Sequence, residues 1–564
     1  MTELLIVMVV ALVVIASATL LGPRFGVASP LVLVAIGVVA SLVPAFSSVQ
    51  IDPELILQGI LPPLLYSAAV SLPTMNFRRE FGAIGGLSVV LVVGTALILG
   101  VFFMLVIPGL GFAWGVALGA IVSPTDAVAV SIIKKTPVSK RVVAMLDGES
   151  LLNDATALAL LRAAIVATAA TFSFWGAVGS FSYSVLIALI IGGAVGWLNL
   201  VIRKRITDPT VNTAISFTVP FIASVPAELL GASGLVAAVV AGIVTGIRAA
   251  RVLSPQNRLS DAQNWRMIEL VLEGAIFLMM GLQISEILTD VENDDAGVRT
   301  AALIAAGALV ITVLVRAAFV APLLAILGRR SRRHAERKPR MEIVQERLQA
   351  PRETDAAAGR SKHNPARSER YLDRVAALVT RSLADIEYFR REPLGWREGT
   401  TVVWAGMRGA ITVAAAQTLP ADAPLRSTLV LIAFVVAAMS LLVQGGTIGT
   451  VVRRISPKVD QSTVDKHAGA ERTRLFALLK ASAGTVPKPA EVDSYADERD
   501  DDYAPREASF AVEKTHRLAV IDAQRSALLD ARDNGTFDAD VLESALANLD
   551  ASQIALEMRG KPTT

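Results

Sequence analysis

Five stretches of this chain, residues 4–21, 31–43, 87–107, 185–202 and 428–443, contain no Lys, Arg, Asp or Glu. A helix that crosses a hydrocarbon core needs roughly 20 predominantly apolar residues, and several of these runs reach that length with their flanks. Inside hydrocarbon every backbone N–H and C=O must find its partner within the protein, which favours helices. The chain is therefore expected to be an all-α polytopic membrane protein. Its composition agrees: 18% of the 564 residues are charged, against about 25% in a soluble domain.

Reading the apolar runs against Pro, Gly and charge gives about thirteen helices. They span 3–21, 27–44, 54–72, 81–107, 112–133, 142–170, 182–202, 210–227, 231–247, 266–288, 299–328, 400–420 and 427–452. Every second loop, starting with the first, is basic. These loops carry Arg24; Arg78 and Arg79; Lys134, Lys135, Lys140 and Arg141; Arg203, Lys204 and Arg205; and Arg248, Arg251, Arg258 and Arg266. The alternate loops hold only Arg426, with Arg299 at an edge. Basic loops stay on the cytoplasmic side, so the N-terminus is expected outside and the C-terminus in the cytoplasm of a cell membrane.

Four regions follow: helices 1–11 over 1–328, a basic cytoplasmic insert at 329–398, helices 12 and 13 over 399–454, and an acidic, partly helical cytoplasmic tail at 455–564. The insert holds 18 Lys and Arg against 11 Asp and Glu, a net of +7, and the tail 14 against 20, a net of −6. The tail includes DERDDDY (497–503) and a helical apolar pattern with Leu518, Ile521, Leu528 and Leu529, then Val541, Leu542, Leu546 and Leu549. The insert reads either as a solvated loop near anionic lipid headgroups or as a dock for this tail.

Several function classes fall away. With no Cys, disulfide frameworks, thiolate metal sites and iron–sulfur clusters are excluded. His334, His363, His467 and His516 all lie in hydrophilic segments, which leaves no intramembrane haem or copper site. A net charge of +3 is too small to point to nucleic acid, and the pI of about 9.1 reflects the basic loops. Glu3 and the lack of a positive leading segment argue against a cleaved signal peptide. GRRSRR (328–333) is no phosphate-binding loop, because it lacks GxxxxGK[ST]. No enzyme and no cofactor are expected, and energy would come from an ion gradient.

Ionisable residues within membrane helices are costly and tend to mark function. The fifth helix contains SPTD (123–126), where Pro124 removes a backbone donor and breaks the helix. Ser123, Thr125 and Asp126 then offer oxygen ligands beside freed carbonyls, as in the broken helices of transporters. SPTD alone would also suit a helix N-cap. The sixth helix holds Glu149, Asn153 and Asp154 within two turns, with Arg162 further on. Ser150 and Asp154 share one helix face, while Glu149 and Asn153 share the adjacent one. A buried Glu149 needs a cation, and the twelfth helix offers Arg408 between Gly406 and Gly409. That reading makes Glu149–Arg408 a structural pair and leaves Asp154 as the titrating ligand. Glu269, Glu273 and Arg316 could simply pair across helices.

Together these residues resemble the monovalent cation/proton antiporters of the bacterial sodium/proton exchanger type, cation/proton antiporter type 1. The matching blocks are LPPLLYSAA (61–69), SPTDAVAV (123–130), GESLLNDATALAL (148–160), FLMMGLQ (277–283) and WAGMRGAITVAAA (404–416). The resemblance implies thirteen helices with inverted repeats, broken fifth and twelfth helices that cross near the ion site, and a homodimer in lipid. It also implies that Asp154 binds the ion and the proton, with Asn153 its neighbour. Asp126 and Thr125 would belong to the crossing, Ser150 and Thr125 would be candidate ligands of the monovalent cation, and Glu149 with Arg408 would be the stabilising pair. An Asn-Asp pair usually accompanies electroneutral exchange in such proteins. Many relatives carry an acidic residue after the aromatic of the LPPLL block, where this chain has Ser67.

A proton and a sodium ion would compete for one carboxylate, because burial disfavours its bare charge and either cation restores neutrality. Potassium/proton exchange could run on the same residues. A cation channel and an intramembrane aspartyl protease using Asp126 and Asp154 are the more distant alternatives.

Overall fold

The structure, a computed structural model, describes residues 2–25, 28–43, 54–126, 128–134, 136, 138–169, 174–293, 297–349, 365–455, 461–488 and 504–559. The expected acidic stretch 497–503 and His363 lie outside the described residues. Among the described residues the regular structure is helical throughout.

Eight described helical segments are long and apolar enough to cross a membrane: 74–106, 140–168, 179–203, 209–229, 234–252, 255–289, 298–333 and 426–455. Shorter apolar helices cover 5–21, 29–41, 55–71 and 112–122. Many long side chains on these helices point outward, among them Leu186, Leu189 and Ile190. Apolar residues all round a helix suit a span with protein on one side and lipid on the other.

Hydropathy misjudges two boundaries by more than ten residues. The eleventh helix, expected to end at 328, continues as Val298–Gln349. Its added turns are rich in Arg and Glu, which are good helix formers that a hydrophobic reading ignores. The tenth begins at Pro255 and runs to Leu282, with proline in the first turn where its missing N–H costs nothing.

The chain divides into two compact units. The first comprises 1–253, 259–328 and 394–457. Within it, one large apolar core gathers side chains including Leu99, Ile121, Leu146, Met407, Leu431 and Ile432. A smaller core joins Tyr66, Ala188, Val219, Ala237 and Trp265. Two arginines read as loop residues are in fact buried here. Arg141, in the first turn of Lys140–Ala169, donates from Nε to Glu80 Oε1 at 2.5 Å. Arg203 ends Phe174–Arg203 and donates to Asp261 Oδ2 at 2.8 Å and Asn212 Oδ1 at 2.8 Å. Each ties a helix end to a neighbouring helix.

The second unit comprises 254–258, 329–393 and 458–564. Its apolar core joins Leu475, Leu528, Ala531, Phe537, Leu542 and Ala545, with Val541, Leu546 and Leu549 packed against it. The tail helices Ala504–Asn534 and Ala539–Met558 thus bury much of the expected apolar pattern. Pro365–Arg391, from the basic insert, packs on Ala504–Asn534. Burial pushes the Glu387 carboxyl up, but hydrogen bonds from Lys338, Arg391 and Arg390 outweigh it and hold it down at about 2.

Leu528 is fully buried, and Leu528→Ala should cost the tail core about 2–5 kcal/mol. Limited proteolysis of the full-length protein should then cut within 504–559 faster than in wild type; equal rates would contradict this packing. A carboxylate held below its unfolded value contributes stability above that value and loses it on acidification. The Glu387 cluster should therefore hold above about pH 4.5 and weaken toward about 2, a loss that hydrogen exchange at 338 and 387–391 would register.

Candidate functional site

Two broken helices frame the site. The fifth expected helix is two, Phe112–Val122 and Val128–Ile133, parted just past Ser123 where Pro124 lacks the N–H that would continue the helix. The twelfth is also two, Trp396–Trp404 and Ala410–Gln417, parted at a stretch holding Gly406 and Gly409. The breaks touch: the Asp126 N–H donates to Met407 O at 2.7 Å.

A broken helix exposes carbonyls at the end of its first half and N–H groups at the start of its second. These ends carry partial negative and positive charge respectively. Arg408 serves the carbonyls, donating from Nε to Val122 O at 3.0 Å, from Nη2 to Ser123 O at 3.4 Å and from Nη1 to Gly406 O. Asp126 serves the N–H groups of both second halves. Its Oδ1 accepts from Val128 N–H at 3.0 Å, and its carboxylate also accepts from Ala410 N–H. A Cβ at position 409 would overlap the Asp126 carboxylate, so only glycine lets the two breaks approach this closely. The Arg408 N–H donates to Ser440 Oγ at 2.9 Å, Ser440 Oγ donates to Gln444 Oε1 at 2.5 Å, and Gln444 Nε2 reaches Trp404 O at 3.3 Å. Pattern reading passed over Ser440 and Gln444, since two polar residues four apart in an apolar run carry no charge to flag them.

Glu149 pairs with Arg316, not with Arg408 as expected. Both partners are about 2% exposed, Arg316 Nη2 lies 2.7 Å from Glu149 Oε2, and Nη1 meets Oε1. The reason is geometric. Arg408 is committed to the carbonyls of the crossing, whereas Arg316 reaches in from the Val298–Gln349 helix. Arg316 also donates from Nε to Val402 O at 2.9 Å. A Cβ at position 406 would sit 2.6 Å from Arg316 Nε. The only sequence signal for this partner was an arginine inside an apolar run.

The remaining expected residues gather on Lys140–Ala169 and the adjacent break. Thr125 Oγ1 donates to Glu149 Oε1 at 3.2 Å. Asn153, fully buried, donates from Nδ2 to Thr125 Oγ1 at 2.7 Å and to Thr125 O at 3.1 Å. Its Oδ1 is buried with no hydrogen-bond partner. Ser150 Oγ donates to Asp147 O of its own helix at 3.2 Å. Asp154 is 3% exposed. No hydrogen-bond donor or basic side chain among the described residues reaches it, and the charged group that acts on it is Asp126. Arg162 lies apart, 3.5 Å from Glu228 at an exposed position.

Removing one member of a buried ion pair strands the other, at a cost of about 3–5 kcal/mol. Glu149→Gln should therefore lower the detergent melting temperature of the purified protein sharply, and adding Arg316→Met should recover much of the loss. An unchanged melting temperature in the single variant would contradict the pairing.

Comparison with known proteins agrees with this architecture. The profile of the family "Sodium/hydrogen exchanger, transmembrane" matches residues 8–343 and 374–454. An uncharacterized Na(+)/H(+) exchanger of Mycobacterium bovis is 28% identical, over 98% of this chain and 96% of its own. A Na(+)/H(+) antiporter of Aphanothece halophytica is 24% identical, over 78% of this chain and 73% of its own. A sodium, potassium, lithium and rubidium/H(+) antiporter of Bacillus pumilus is 30% identical, over 52% of this chain and 45% of its own. The solved structure of the sodium proton antiporter MjNhaP1 from Methanocaldococcus jannaschii superposes with a TM-score of 0.55 at 14% identity. That match covers 80% of this chain and 99% of the other. With its crossed broken helices and a family match across most of its length, the chain belongs to the transmembrane sodium/hydrogen exchanger family.

Proposed function

We propose that the protein exchanges sodium for protons across the cell membrane, one for one, by alternating access at Asp154. The observation that carries this reading is a carboxylate 3% exposed with no donor or basic side chain among the described residues to neutralise it. A bare charge at such a place is costly. A proton or a metal cation each removes that cost, and one excludes the other.

Coupling follows from the same energetics. If Asp154 can change its open side only when neutralised, each passage carries either a proton or a cation, and the two fluxes lock together. Asn153 Oδ1, buried without a partner, can serve as a neutral oxygen ligand, with Thr125 and Ser150 close to it in the chain fold. Asp126 is engaged by two backbone N–H groups, so it is read as an anchor of the crossing that also adds negative potential. One exchanging carboxylate favours electroneutral exchange.

The alternating basic loops support a cytoplasmic C-terminus, the insert and tail included, and the resemblance supports a homodimer. A second reading, exchange of potassium or lithium on the same ligands, draws on the Bacillus pumilus relative, whose name includes those ions.

Purified protein in proteoliposomes with a trapped pH dye should dissipate a proton gradient when sodium is added, at a rate unchanged by clamping the membrane potential. Asp154→Asn should insert normally and abolish the response, a loss of at least about 100-fold for a group on which the reaction depends. Sodium-dependent proton flux retained in Asp154→Asn would refute the assignment. Parallel runs with potassium and lithium decide between the two cation readings.

A further inference from the structure

The block FLMMGLQ (277–283) ends on Gln283, which takes no part in the crossing. Gln283 follows directly on the Pro255–Leu282 helix, is 5% exposed, and donates from Nε2 to Gln417 Oε1 at 3.1 Å. Gln417 ends Ala410–Gln417, the second half of the broken twelfth helix. The tenth and twelfth helices both start at basic segments and run toward the loops 289–298 and 421–426, which hold only Arg426 as a basic residue. On the proposed orientation, with basic loops cytoplasmic, the bridge stands at the outer end of both spans.

Three further features gather at that end. Arg426 donates from Nε to Leu419 O at 3.0 Å and from Nη2 to Gln417 O at 2.9 Å, which places a cation on the carbonyls where Ala410–Gln417 stops. Leu425, just before it, has a φ of 53° and is the one non-glycine among the described residues with a positive φ. A leucine keeps that conformation only where its surroundings enforce it. Beyond Gln283 the chain continues as Ile284–Asn293, which packs on both Ser29–Ser41 and Arg426–Ser440 and buries Ile287 and Val291.

The tenth helix is held unequally by its neighbours. Toward Ser29–Ser41 it makes backbone contact: a Cβ on Gly37 would stand 2.5 Å from Leu278 O, and one on Gly281 would overlap Val34 O. Packing that close has two discrete choices, intact or broken, and does not slide. Toward Ala410–Gln417 it offers the neutral amide bridge of Gln283. A neutral hydrogen bond shifts an equilibrium by about 2- to 12-fold, whereas stranding one member of a buried ion pair shifts it more than about a hundredfold. A contact that parts in every cycle belongs to the first class. We propose that Gln283 and Gln417, backed by Arg426, form a latch that closes the outer end of the transport path and parts when Asp154 opens outward. This inference rests on the antiport reading and adds to it the contact that sets how often the outer side is open. The two glutamines act through the population of the outward-open state, and so through the apparent affinity for cation on that side.

The test uses the full-length protein in right-side-out membrane vesicles, with sodium chloride added outside as the probe. Gln283→Ala and Gln417→Ala each release the latch, so the KM for outside sodium should fall about 2- to 12-fold. Damage to the fold would instead raise KM or lower kcat alone. A KM that falls in neither variant overturns the latch. The chain has no cysteine, so the double variant Gln283→Cys/Gln417→Cys can be bridged by a short, reducible bifunctional thiol reagent. Bridged protein should lose at least about 20-fold in exchange rate and regain it on reduction, because a closed gate stops turnover. Each single-cysteine variant treated alike should keep most of its rate. Exchange at the unbridged rate in bridged protein overturns the latch, and failure to bridge although each single cysteine reacts overturns the contact itself. A wild type that moves no protons on sodium addition overturns the antiport reading and the latch together; a wild type that exchanges while bridging has no effect overturns the latch alone.

Discussion

A helix broken in the middle of a membrane protein leaves about eight backbone groups without an intrahelical partner, two such breaks twice that number, and each left bare costs several kcal/mol. The crossing answers this with one cation and one anion. Arg408 lies on the carbonyls of Val122, Ser123 and Gly406. Asp126 takes the N–H groups of Val128 and Ala410, and Gly409 keeps the space the carboxylate fills. Much of the surrounding chemistry depends on these contacts, because they fix where the break stands relative to the helix that carries Asp154.

A brace from outside the crossing completes the arrangement. Glu149 and Arg316 join the Lys140–Ala169 and Val298–Gln349 helices, while Thr125 on one break and Val402 beside the other hydrogen-bond to the same pair. The charges at and around the crossing thus divide by task. Arg408 and Asp126 hold helix ends, Glu149 and Arg316 hold helices together, and Asp154 has no such partner among the described residues. Buried ion pairs add little net stability over apolar packing, but they fix positions, and a carboxylate that exchanges ions needs fixed surroundings.

The parts legible in the sequence are those set by local chemistry. Apolar runs without charge predict spans, and Pro124 predicts one break, while the break at Gly406 and Gly409 followed from the resemblance. The acid cluster from Glu149 to Asp154 falls on one or two faces of a single helix, so spacing alone brings it together. Pairings between distant helices are different. Glu149 and Arg316 are 167 positions apart, and Ser67 and Glu269 are 202 apart. The sequence pointed to Arg408 as the partner of Glu149, and nothing local singled out Arg316, which lies on a distant helix. Arg141 and Arg203 misled for a related reason: a basic residue at a helix end reads the same whether it faces solvent or reaches back to an acid. Helix propensity beyond the apolar region, over 329–349, was invisible to a reading tuned to hydrocarbon.

If sodium and a proton share the Asp154 carboxylate, binding one must expel the other even without transport. Sodium added to purified wild-type protein in weakly buffered detergent, at a pH where Asp154 holds its proton, should acidify the solution by about one proton per bound sodium ion. Choline should release none, and Asp154→Asn should release none with either ion. Sodium binding with no proton release, or equal release from Asp154→Asn, would contradict a shared site.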